Sequence, residues 1–190
     1  MSPPCANSLY THPGYSSLAV GLGLSQQPVA YDYGGNVVVQ PDAAYVDGDA
    51  AGTPQQYAEQ ASQIAGAGQS DQTVADDKWL PLGVFSVVEA NQTTSNDVFQ
   101  LAVDKQGVIR GNYHNVQSDQ VMNITGSVDK TSQRAAWTIG NYQTPVYEAG
   151  IANLTKDQTP LLVHTSDGQT RQMALIRLKP STASGDATQP

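Results

Sequence analysis

The chain has 190 residues, enough for one domain with appendages. Charged residues make up 14%, about half the usual share, so its polarity comes from Gln, Asn, Ser and Thr, which suits strands better than solvated helices. A net charge of −8 without a basic stripe argues against a phosphate-backbone partner, and the single cysteine, Cys5, rules out an internal disulfide framework.

Residues 1–36 are rich in Gly, Pro, Ser and Tyr and hold no sustained period. Leu18, Val20, Leu22 and Leu24 alternate, but Gly21 and Gly23 interrupt them. This segment is expected to be disordered and low in complexity. Met1-Ser2-Pro3-Pro4 places no apolar run before Cys5, so an export signal or a lipid-anchored cysteine is not visible in the sequence itself. No stretch approaches the roughly 20 apolar residues of a transmembrane segment.

A small ordered unit is expected over 37–66. Val37, Val38 and Val39 read as one strand and Pro41-Asp42 as a turn; Tyr45-Val46 reads as a second strand, ended by Asp47-Gly48-Asp49. Thr53 is placed to cap a helix, with Pro54 at its first position and Gln56 completing a capping box. Tyr57, Ala61, Ile64 and Ala65 then share one face, and Gly66 marks a stop. Three turns are marginal alone, so this amphipathic helix needs a surface to lie on.

Residues 67–77 read as a polar linker and 179–190 as a disordered tail. Between them, over 78–178, strand follows strand: 82–89, 97–104, 107–115, 120–128, 134–140, 145–154, 160–165 and 170–178. Phe99, Leu101 and Val103 share a face; so do Ile109, Gly111 and Tyr113, then Met122, Ile124, Gly126 and Val128, then Ala135, Trp137 and Ile139. Short connections such as Asp104-Lys105-Gln106-Gly107, Asp129-Lys130-Thr131-Ser132 and Ser166-Asp167-Gly168 join neighbours as hairpins and leave no room for crossover helices. Glycines at 111, 126 and 150 within strands favour sharp coiling and closure. The expected fold is all-β with one short helix: an antiparallel up-and-down β-barrel of about eight strands, preceded by a β-hairpin and helix, with Trp79 and Trp137 anchoring its core.

The sequence offers little chemistry. His12, His114 and His164 lie in separate segments without an HxH or HxxxH spacing, so no metal site is expected and no cofactor is implied. Asp47-Gly48-Asp49 and Asp76-Asp77 read as turn and linker rather than a calcium loop. There is no G-x-S-x-G, and Gly21-Leu22-Gly23 lies outside any βαβ unit. Sequons at Asn91, Asn123 and Asn153 are what a Ser- and Thr-rich chain produces by chance. Glu148 alternates with Val146, Gly150 and Leu154 and is expected inside the barrel, paired with Arg110, Arg134 or Arg177. Glu148 with His114 is the one acid–base pair that could be named for an enzyme.

The stretch Ala44-Tyr45-Val46-Asp47-Gly48, then Gly52-Thr53 and the helix Gln-Gln-Tyr-Ala-Glu-Gln-Ala, resembles a family of bacterial cell-surface proteins often labelled mu-protocadherin-like. So do Trp79-Leu80-Pro81-Leu82-Gly83-Val84-Phe85, Gly126-Ser127-Val128-Asp129-Lys130 and Gln133-Arg134-Ala135-Ala136-Trp137, and the resemblance runs from about 28 to 178. It implies an exported protein with a Gly/Tyr-rich segment before this module, and it brings no catalytic residues. The expectation is a non-enzymatic, extracytoplasmic structural or interaction module whose partner is a protein or envelope component. The alternative is a lipocalin-like barrel with a small apolar ligand lined by Phe99, Tyr113, Met122, Trp137 and Glu148.

Overall fold

The computed structural model describes residues 12–69, 79–89, 92 and 94–179. Cys5, Asp76-Asp77, the sequon at Asn91, most of the expected linker and nearly all of the tail lie outside these residues. In chain order the elements are α1 (Tyr15–Leu22), β1 (Val37–Val39), β2 (Ala44–Val46), β3 (Asp49–Gly52) and α2 (Pro54–Ala67). They are followed by β4 (Leu80–Glu89), β5 (Asp97–Val103), β6 (Val108–Asn115), β7 (Gln120–Asp129), β8 (Arg134–Ile139), β9 (Val146–Gly150), β10 (Gln158–His164) and β11 (Thr170–Arg177).

Strands β4 to β11 form a closed antiparallel barrel in simple up-and-down order. Each strand pairs with the next, and β11 returns to β4, setting Arg177 opposite Phe85 and Met173 opposite Glu89. Closure leaves no open edge in the barrel. Gly111 and Gly126 show what the tight curvature requires. A Cβ at either would overlap backbone of the neighbouring strand, at the Gln100 carbonyl and the Ala136 carbonyl respectively. Strand β9 is shorter than its apolar run: it stops at Gly150 and passes into a 3-10 turn at Asn153–Thr155.

The inward faces make one core, with Phe85, Phe99, Leu101, Ile109, Ile124, Trp137, Leu161 and Leu175 buried together. Trp79 does not anchor this core: it is only half-buried at the start of β4. Arg177 ends the core at one pole, lying over the Phe85 ring and donating to the carbonyls of Leu82, Lys156 and Leu154.

The expectation of disorder through 1–36 is corrected for residues 12–36. α1 contributes Leu18, Ala19 and Leu22, each at most 1% exposed, to the barrel core. It sits at the pole where β4 begins, with Gly21 against Leu80, and Gly23 closes it in the left-handed conformation at φ 68°. Leu18 and Leu22 are one helical turn apart, whereas Val20 is 73% exposed, so the alternation of apolar residues disguised a helix. Eight residues cannot hold a helix in water; packing into the barrel stabilises it.

The region before the barrel follows the expected plan with one addition. β1, β2 and β3 form a small antiparallel sheet rather than a two-stranded hairpin. Asp47 and Gly48 make its second turn with positive φ at both residues, the geometry that suits a tight two-residue hairpin. Thr53 Oγ1 accepts from the Gln56 N–H while Gln56 Oε1 accepts from the Thr53 N–H, completing the capping box of α2. α2 lies on the outer wall across β7, β8 and β9. Its buried Ala61 and Ala65 meet Ala136 and Val146, and Ser127 Oγ donates to the Ile64 carbonyl. Among the described residues, no helix is long and apolar enough to cross a membrane.

Candidate functional site

Two groups of polar side chains stand out, one behind the barrel wall and one at its open pole. The first centres on Glu148, which is fully buried. Since Tyr147 and Ala149 turn into the lumen, Glu148 turns out of it, beneath α2 and the small sheet. This corrects the expected interior position. The strand is buried on both faces, so alternation identified two faces without saying which one was the lumen.

The Glu148 carboxylate accepts five hydrogen bonds. Oε1 receives Tyr33 Oη at 3.1 Å, Tyr57 Oη at 3.0 Å and Arg134 Nε at 3.0 Å. Oε2 receives Arg134 Nη2 at 2.9 Å and His164 Nε2 at 2.9 Å. Because a carboxylate only accepts, His164 donates to it through a proton on Nε2; its Nδ1 is buried without a partner among the described residues. The Arg134 guanidinium also donates to Gln60 Oε1 and the Tyr57 carbonyl, and it lies 4.0 Å from the centre of the Tyr57 ring. Burial alone would raise the Glu148 carboxyl, but the His164 hydrogen bond and the charge and hydrogen bonds of Arg134 outweigh it, holding the group at about 2. Burial, then the charge of Glu148, pushes the hydroxyls of Tyr33 and Tyr57 well above the usual tyrosine range.

These contacts draw on three parts of the chain. Tyr33 precedes the small sheet, Tyr57 and Gln60 come from α2, and Arg134, Glu148 and His164 belong to β8, β9 and β10. The network therefore fastens the N-terminal elements to the barrel. Asn153 fastens them again nearby, exchanging two hydrogen bonds of 3.0 Å with the Tyr31 backbone. Of the three arginines considered as partners for Glu148, Arg134 is the one it meets. His114 is not part of the site: it contacts Asp119 at 3.1 Å on a hairpin at the open pole. His164, expected to be incidental, is buried.

The second group lies inside the pole opposite α1, where β4, β6, β8 and β10 end. Phe99, Tyr113, Met122 and Trp137 all face the lumen. The Phe99 ring meets Tyr113, Trp137 and Tyr147 edge to face at centroid distances of 6.1, 6.0 and 5.0 Å. Trp137 stacks with Tyr147 at 6.4 Å, and its indole N–H has no partner among the described residues. Asp97, at the start of β5, continues the inward alternation of Phe99 and Leu101. Its Oδ1 receives Tyr113 Oη at 2.7 Å and Asn115 Nδ2 at 2.8 Å. Burial first, then Tyr113 and Asp97, pushes the Tyr147 hydroxyl up to about 12. Unlike Phe99 and Trp137, the side chains of Tyr113, Met122, Tyr147, Met173 and Asp97 are only partly buried, so water reaches this layer of the lumen.

Sequence reasoning missed Tyr33, Tyr57, His164 and Asp97. The alternation within β5 would have placed Asp97 inside; nothing in the spacing of the others announces that they converge. Among the described residues, no group of three His, Cys, Asp or Glu could hold a metal ion. Comparison of the chain with protein-family models, with curated proteins and with solved structures found no match.

Proposed function

We propose that this chain is a non-enzymatic interaction module of the cell envelope, meeting its partner through the open pole of the barrel. The observation that carries the reading is the asymmetry of the two poles. One is sealed by α1 and Arg177. At the other, Val116 and Tyr142 on two connections and Val121 at the start of β7 are 58%, 63% and 60% exposed. Apolar side chains gathered this way favour a contact surface. The Glu148 constellation supports the non-enzymatic part, since both oxygens are filled and the carboxylate has no exposure through which a substrate could enter. The envelope location rests on the resemblance to exported surface proteins.

A carrier with a long empty lumen finds less support. Phe85, Phe99, Leu101, Ile109 and Trp137 fill the barrel between α1 and the open layer. The test is binding of the purified chain to isolated envelopes of its source cells, beside a variant carrying Val116→Ser, Val121→Ser and Tyr142→Ser. Saturable binding lost in the variant is expected. Absent binding, or binding equal in the two, would overturn the reading.

A further inference from the structure

The cationic charge of the barrel is concentrated at one pole, where it is shared with Asp104, Asp129 and Asp157. The described lysines Lys105, Lys130, Lys156 and Lys179 all lie at the sealed pole, in its turns or just after β11. The open pole carries Glu89, Asp97, Asp119 and Asp167 among its described residues, against the single guanidinium of Arg171. Arg171 is itself partly answered by Asp167. That carboxyl is held below its ordinary range chiefly by the Thr165 hydrogen bond and, to a smaller degree, by the charge of Arg171. His114 faces outward there and contacts Asp119. Among the described residues, carboxylates therefore outnumber cations at a mouth whose inner walls are aromatic.

Aromatic faces beside a carboxylate favour one chemistry above others. A ring presents negative potential from its face, and a carboxylate supplies the counter-charge, so an ammonium with an apolar stem is bound by both. Asp97 uses Oδ1 for Tyr113 and Asn115, while its Oδ2 has no partner among the described residues. The Tyr147 hydroxyl, on the same water-reached layer, likewise has no hydrogen-bond partner among them. Met122 and Met173 add adaptable apolar surface for a stem.

We propose that the mouth of the barrel binds an organic ammonium group, with Asp97 as its counter-ion and the rings of Tyr113 and Tyr147 as its walls. The proposal deepens the interaction reading by giving the partner's contact a chemistry. The ammonium comes either from a small amine or from a lysine side chain of a partner protein.

The experiment uses the full chain carrying Trp79→Phe, which leaves Trp137 as its one indole. Its fluorescence is followed while n-butylammonium, butanol, butyrate or Nα-acetyl-lysine methylamide is added. Saturable binding of n-butylammonium is expected, with none for butyrate. Asp97→Asn should weaken it about tenfold or more, while the weak response to butanol stays unchanged and so reports an intact mouth. Saturation by the lysine derivative as well identifies a partner's lysine as the source; saturation by the free amine alone identifies a small molecule. No saturable response to either amine, or equal responses to n-butylammonium and butanol, would overturn the proposal. Because this assay needs no envelope, its failure and the failure of the envelope reading are separately visible.

Discussion

Replacing Glu148 by Gln keeps the shape of the side chain and removes its charge. Arg134 would then be buried without a counter-ion, and one of the five donors would face an amide N–H instead of an oxygen. The carboxyl is held at about 2 against an ordinary value of 4.5, and each unit of that difference is worth about 1.4 kcal/mol of folding free energy, giving roughly 3 kcal/mol. The cost of breaking a buried ion pair by removing one partner, about 3–5 kcal/mol, agrees with it. The pH dependence follows from a folded-state value that is depressed. The contribution is complete above pH 4.5 and is lost as pH falls through about 2, where the wild-type carboxyl becomes neutral like the amide. Urea unfolding of both proteins, followed by circular dichroism at several pH values from 7 to 2, should therefore show the variant less stable at pH 7 and the gap closing in acid. Proteolysis should also cut α2 sooner in the variant, since Tyr57 loses a charged acceptor and Arg134, which holds Gln60, is left without its counter-ion. A gap under about 1 kcal/mol at pH 7, or one that does not shrink in acid, would refute the account of Glu148 as the fastening.

Leu22→Ala in α1 removes a core side chain 1% exposed and should lower stability by about 2–5 kcal/mol in thermal or urea unfolding; a loss below about 1 kcal/mol would mean that α1 does not seal the barrel. Gly111→Ala pushes a methyl group into the Gln100 carbonyl across the β5–β6 pair and should destabilise by about 1–3 kcal/mol, with loss of amide-exchange protection first in those two strands. Unchanged protection there would show that the strands have room the geometry denies them.

The barrel was legible in the sequence because its hairpins are local. Each turn signal sits between two runs whose apolar residues recur at every second position, and the connections are too short for another topology. α2 was legible for the same reason, since its cap and its apolar face lie within fourteen residues. What escaped was decided by partners distant in the chain. α1 presents three buried residues and a glycine, and only the lumen it enters makes it a helix. Arg134 to Ile139 are all buried, on both faces of β8, so polarity could not tell outside from inside beneath α2, and Glu148 on the adjoining strand was assigned to the wrong side. Tyr33 and Glu148 lie 115 residues apart, and no local spacing predicts their contact. The open pole was half legible: alternation puts its aromatic residues in the lumen, whereas Asp97 stands at the first position of a strand and draws no role from the sequence alone.

Chain order and assembly order run in opposite directions in this protein. The seal is synthesised first, but the opening it fills does not exist until β11 meets β4, after residue 177 has been made. While the wall strands emerge, Leu18 and Leu22 have no lumen to enter, and Tyr33 and Tyr57 have no Glu148 to hold. The seal must therefore wait in solvent with Leu18 and Leu22 uncovered and settle last, so exposure to aggregation during synthesis falls on it.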